Sequence, residues 1–107
     1  MASPSTQASV YDAVSSPARR ALLAHLALGE ARVTQLAERF DMSISAMSQH
    51  LTVLKGAGLV KARSVGRQRL YRLEAKPLKE ISDWVASYEK FWSDKLAALG
   101  EFLEEDE

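Results

Sequence analysis

The sequence predicts a mostly α fold with a small β-hairpin and a long C-terminal helix, on three observations. Apolar residues recur at helical spacing in three segments between Pro17 and Leu54. Two segments, "LVKARSV" and "QRLYRLE", alternate apolar with polar residues on either side of a short "GR". From Pro77 an apolar stripe then runs in steps of three and four almost to the end of the 107-residue chain. The length supports one domain, over residues 10–105, preceded by a flexible tail over residues 1–9 that is rich in Ser, Ala and Pro.

The elements follow in order. "VYDAV" begins a short helix with poorly defined ends. In "SSPARRALLAHLALG", Ser16 caps the helix, Pro17 suits its first position, Leu22, Leu23 and Leu26 form the apolar stripe, and Gly29 ends it. Thr34 is the expected cap of "QLAERF", with Leu36, Ala37 and Phe40 at helical spacing. "DMS" is a tight connection and Ser43 caps the next helix, so two helices meet across about three residues, as a helix-turn-helix requires. Met47, Leu51 and Leu54 turn that second helix toward a core, Ser45, Ser48, Gln49 and Thr52 form its other face, and "GAG" ends it. The hairpin follows. The C-terminal stripe at 78, 81, 85, 88, 92, 96, 99 and 103, widened by Trp84, Phe91 and Phe102, predicts one helix of roughly 27 residues and 40 Å. A small core cannot cover that length, and a second copy of the chain is the simplest covering surface.

The formal net charge of zero conceals a segregation. Residues 15–73 carry ten basic side chains against three acidic ones, a balance of +7, whereas residues 74–107 carry four Lys against ten acids, a balance of −6. Such a division points to a polyanion partner for the first segment, the alternative being solvated charge on opposite faces. The chain contains no Cys, which removes disulfides, thiolate nucleophiles and Cys-ligated metals. It also lacks a Gly-rich phosphate loop and any plausible Ser/His/acid set, so the expectation is that it is not an enzyme and holds no cofactor. No apolar run has the length of a membrane span and "MASPSTQAS" lacks the features of a secretory signal, so a cytoplasmic protein without a membrane partner is expected.

Between Ile44 and Leu73 there is not one acid. A helix entering the major groove must present short hydrogen-bonding groups to base edges, and Ser45, Ser48 and Gln49 answer that description. Arg67 and Arg69, flanking Gln68 at the hairpin tip, with Arg63 farther down, suit a minor groove and its phosphates. Lys55, Lys61 and the start of the Thr34 helix are phosphate anchors on this reading. The competing readings are a polar outer face without a partner and an edge hairpin defended by charge. His50 has two readings that stay open, a hydrogen-bonded residue at a helix junction or a DNA contact. His25 is read as structural, and two His do not make a metal site. Trp84, Tyr88, Phe91 and Trp92 are read as core or interface before a ligand pocket.

"SPARRALLAHL", "SISAMSQHLTVLKGAGLV" and "GRQRLYRL", in that order and spacing, resemble the ArsR (SmtB) family of winged helix-turn-helix transcriptional repressors, over residues 10 to about 105. The resemblance implies a homodimer built mainly from the first and last helices, two recognition helices in successive major grooves of double-stranded DNA, and repression by blocking a promoter. By matching positions it places Ile44, Ser45, Ser48, Gln49 and His50 at or near the bases and Arg67 to Arg69 at the wing tip; Thr34, Thr52, Lys55 and Arg63 complete the expected DNA-binding set. The expected dimer set is Val10, Tyr11, Val14, Leu78, Ile81, Val85, Tyr88, Trp92, Leu96 and Leu99. Many members sense metals through Cys in the helix before the recognition helix, or Asp and His in the last helix. Here those stretches are "RVTQLAERF" and "LKEISDWVASYEKFWSDKLAAL", so metal sensing is not carried over, and the chain is similar to the metal-independent branch, whose inducers are varied or unknown. The rival reading is a winged helix used as a protein-interaction module without DNA.

Overall fold

A computed structural model describes residues 9–105; the expected tail over residues 1–9 lies outside them except for Ser9. Six helices and three strands follow one another as α1 (Val10–Ala13), α2 (Pro17–Leu26), β1 (Ala31–Arg32), α3 (Val33–Arg39), α4 (Ile44–Gly56), β2 (Val60–Val65), β3 (Gln68–Leu73), α5 (Leu78–Ala86) and α6 (Glu89–Glu105).

The caps explain the boundaries. Ser16 accepts from the Arg19 N–H with Pro17 in the first turn, and Ser43 accepts from the Ala46 N–H at 3.0 Å. The turn of the helix-turn-helix is set at the end of α3. There the Met42 N–H donates to the Ala37 carbonyl and the Asp41 N–H to the Glu38 carbonyl, with Asp41 in the left-handed region at φ 54. This is the pair of bonds that ends a helix with a left-handed residue one place beyond its cap. The same pair recurs after α4, where the Leu59 N–H reaches the Leu54 carbonyl, the Gly58 N–H reaches the Lys55 carbonyl and Gly58 sits at φ 78. Leu54 and Leu59, the apolar pair that accompanies this arrangement, are both fully buried.

The core gathers Leu22, Leu23 and Leu26 from α2, Leu36 and Ala37 from α3, Met47, Leu51 and Leu54 from α4, and Leu59 and Val60 at the foot of the hairpin. Burying a Leu is worth about 1.5–3 kcal/mol, so these three inward residues of α4 fix its rotation and leave its polar face outward. The hairpin turns through Gly66 at φ 61 and Arg67, with Val65 opposite Gln68. Asp41 being the one described non-glycine residue with positive φ, Gly66 alone carries it in the turn, the pattern of a type II′ connection.

Three sequence expectations are corrected. The sheet has three strands in the order β1-β3-β2, because Ala31 and Arg32 pair with Tyr71 and Leu70; a two-residue strand carries no readable period. Thr34 does not cap α3. The helix starts earlier, with Arg32 in the capping position and its N–H donating to Gln35 Oε1 at 2.9 Å, which leaves Thr34 exposed within the first turn. The expected 27-residue helix is divided into α5 and the long C-terminal helix α6. At the division the Tyr88 N–H donates to the Val85 carbonyl three residues back and the Ser87 hydroxyl donates to the Trp84 carbonyl at 2.6 Å. A side chain competing for a helix carbonyl tightens the turn and interrupts the ladder, a local event that a stripe periodic in threes and fours does not register.

α6 contributes no residue to the core. The radius of gyration is 18.7 Å, against about 13 Å for a compact chain of this length; the projecting C-terminal helices account for the difference.

Candidate nucleic-acid interface

The exposed face of α4 carries Ser45, Gln49 and Thr52, with Ser48 half-buried. Ile44, at the first turn, is also exposed. The Thr52 hydroxyl donates to the Ser48 carbonyl at 2.8 Å, which leaves its oxygen lone pairs for an outside donor. Lys55 is exposed at the last turn.

The hairpin projects beside this face. Only its foot is buried, and Val65, Arg67, Gln68 and Arg69 are all exposed at the tip. The structure separates the arginines. Arg63 is bound to Glu30 through both Nε and a terminal nitrogen. That hydrogen-bonded partner lowers the Glu30 carboxyl below its usual range, partial burial opposing it, and raises the Arg63 guanidinium. Arg63 therefore stands with its charge matched, unlike Arg67 and Arg69. Arg69 lies over the Tyr71 ring, 6.0 Å from its centre. Arg32, which the sequence reading did not include, donates to Gln68 Oε1 at 3.0 Å and ties the edge strand to the wing. Gln35 three residues after Arg32 was the available signal, since a Gln at that spacing marks an earlier helix start.

Arg19, half-buried, and Arg20, exposed, both bind the backbone of the preceding segment. Arg19 donates to the Ala13 and Asp12 carbonyls at 2.7 and 3.1 Å, and Arg20 to the Val14 carbonyl at 2.7 Å. The Glu30 that pairs with Arg63 is already counted in the +7 of the basic segment, so that balance stands, although three of its arginines are engaged within the chain. His50 is half-buried and its Nδ1 lies 3.5 Å from a terminal nitrogen of Arg19. His50 thus occupies the junction of α4 with the start of α2. His25 packs edge-on to Phe40. Among the described residues, no three of His, Cys, Asp or Glu come together as a metal site, and no helix is long and apolar enough to cross a membrane.

The expected dimer residues fall into two groups. Val10 is buried within the chain's own core, and Val14, Leu78 and Ile81 pack against that core. Tyr11 links α1 to α5 through a hydrogen bond to the Glu80 carbonyl and edge-on contact with Trp84. Partial burial, with the Glu80 and Asp83 carboxylates, pushes the Tyr11 phenol up. Val85, Tyr88, Trp92, Leu96 and Leu99 are exposed, as are Trp84, Phe91, Phe102 and Leu103 around them.

Residues 16–62 match the model of a family described as "Bacterial regulatory protein, arsR family". The chain is 32% identical over 96 residues to the HTH-type transcriptional regulator Rv2034 of Mycobacterium tuberculosis, which covers 90% of this chain and 87% of the relative. The chain belongs to the ArsR family. It is a transcriptional regulator with a winged helix-turn-helix DNA-binding domain. It is similar in structure to an ArsR-like regulator from Rhodococcus sp. RHA1, with a TM-score of 0.71 at 29% identity over 89% of this chain and 87% of that one. It is also similar to the homodimeric winged helix-turn-helix domain of Mb0332 from Mycobacterium bovis, with a TM-score of 0.59 at 30% identity over 71% and 73% of the two chains.

Proposed function

We propose that residues 10–105 form one DNA-binding and dimerisation unit that acts as a homodimeric, sequence-specific repressor in the cytoplasm, binding a palindromic operator without sensing metal. The observation that carries this reading is the outward face of α4, where Ser45, Ser48 and Gln49 stand in a stretch from Ile44 to Leu73 that contains no acid. Acids there would be repelled by phosphates, and short polar groups reach base edges. Ser45, Ser48 and Gln49 read bases. Ile44 contacts a thymine methyl or sugar, and Thr34, Thr52 and Lys55 hold the backbone. Arg67, Gln68 and Arg69 follow the adjoining groove. Arg63 and His50 support this surface through Glu30 and Arg19, and their contact with DNA is secondary.

The exposed stripe on α5 and α6 is covered by a second copy. Monomers seldom expose contiguous apolar patches beyond a few hundred Å², and the Mb0332 domain is homodimeric. A two-fold dimer presents two α4 helices related by the same axis, so its operator is palindromic, with half-sites about 34–36 Å apart. The absence of Cys from the chain and of His from the last helix supports a regulator that does not sense metal.

Fluorescence anisotropy tests the reading, with the duplex upstream of the protein's own gene compared against a scrambled duplex. Tighter binding to the first supports it. Equal affinity for the two, or none for either, refutes it, and zinc or nickel changing that affinity refutes the metal-independent part.

A further inference from the structure

A cleft of about 270 Å³ opens between the start of α3, the recognition helix α4 and the wing, and Arg32, Thr34, Ser48, Arg67, Gln68 and Arg69 are among the residues that line it. Three arginines therefore meet the Thr34, Ser48 and Tyr71 hydroxyls and the Gln68 amide around one concavity. The ion pairs among the described residues are Lys61–Glu74, Arg63–Glu30 and Lys79–Asp83, none of which involves these three arginines. Like charges brought to one concave surface repel, and focus an attractive potential for anions within it. Arg32 is also held in place. Its backbone is fixed by pairing with β3 opposite Leu70, its N–H by Gln35 and its guanidinium by Gln68, so little ordering remains when a ligand arrives. A planar guanidinium suits phosphate oxygens, and Ser and Thr hydroxyls can donate to the same group.

We propose that this cleft is a phosphate-binding site that seats one backbone phosphate of duplex DNA between the recognition helix and the wing, with Arg32 as its inner cation. The site rests on the reading that this surface binds DNA, and it adds to that reading a residue outside both the helix and the hairpin. One wall belongs to the helix that reads bases and the opposite wall to the wing. A phosphate held here fixes the angle between the two, so it contributes register as well as affinity. A backbone phosphate carries no sequence information, so the contribution is the same on every duplex.

The test is a salt series by anisotropy with full-length protein, wild type and Arg32→Ala, on promoter and scrambled duplexes. Each lost phosphate contact lowers the slope of log K against log salt by about 0.9, so a dimer with two such sites loses about 1.8. The expected result is that loss on both duplexes, an unchanged ratio of affinities between them, and recovery of the slope by Arg32→Lys. A duplex series with single neutral methylphosphonates locates the phosphate. Wild type weakens at one position per half-site that Arg32→Ala ignores while both respond alike elsewhere. Should Arg32→Ala not fold by circular dichroism, Arg69→Ala on the opposite wall must be blind at that same position. An unchanged slope, or equal sensitivity of wild type and variants at every phosphate, overturns the proposal while leaving DNA binding intact. Failure of wild type to bind any duplex overturns both readings. Saturable calorimetric binding of inorganic phosphate to the free protein, abolished by Arg32→Ala without the loss of slope on DNA, would make this an effector site and overturn the DNA assignment.

Discussion

Replacing Leu96 and Leu99 together by Ala separates the dimer reading from the fold. The two side chains are 65% and 54% exposed on α6, a helix that adds nothing to the core, so their truncation removes no packing within one chain. Complete burial of a Leu is worth about 1.5–3 kcal/mol. Covering the surface that remains exposed therefore contributes about 1–2 kcal/mol for each, of which the Ala methyl retains a part, leaving a loss of about 1 kcal/mol per site. A two-fold interface contains each residue twice, which brings the double variant to about 4 kcal/mol, or about a thousandfold in dissociation constant. Ala is also the better helix former, so helix content and thermal stability measured as monomer should hold or rise. Sedimentation equilibrium across a concentration series, paired with circular dichroism, reads both quantities. A dissociation constant that moves less than threefold, with the fold intact, would place the contact surface elsewhere and refute the argument from the exposed stripe.

Gln49→Ala should cost about 1–3 kcal/mol of discrimination between promoter and scrambled duplexes, whereas Arg67→Ala should weaken both equally and reduce the salt slope by about one per protomer; competition anisotropy distinguishes the two patterns. Glu30→Gln releases Arg63 from its partner and should raise affinity for all DNA, steepening the slope by about one per protomer, in the same assay. The Glu30 carboxyl is lowered in the folded chain, so its contribution to stability is present above its unfolded value and lost as pH falls through the folded one. Melting curves of wild type and Glu30→Gln should thus differ at neutral pH and converge in acid. Asp41→Gly relieves a side chain held at φ 54 and should stabilise the chain by about 0.5–1 kcal/mol, seen as a rise in Tm.

The sequence made much of this molecule legible because the relevant signals were local. Ser16, Pro17 and Ser43 announced two helix starts, and both are where those residues stand. Met47, Leu51 and Leu54, read as inward from their spacing, are fully buried. What escaped depends on partners distant in sequence. The strand at Ala31 and Arg32 exists only because Tyr71 and Leu70 lie alongside it, and the pairing of Arg63 joins residues 33 apart. Counting charge along the chain treated Arg19, Arg20 and Arg63 as equal to Arg67, although the first two grip backbone carbonyls and the third grips Glu30. For His50 the structure supplies a neighbour, Arg19, that spacing alone does not show.

The interruption at Ser87 and Tyr88 bears on how the two halves of a dimer communicate. An unbroken rod would make each reading head a rigid extension of the shared helices, and any movement at the seam would reach the DNA undiminished. Here one tightened turn, locked by the Ser87 hydroxyl on the Trp84 carbonyl, stands between them. In the proposed dimer the angle held at that turn fixes how each α4 stands relative to the apolar stripe of α6 that a second copy covers.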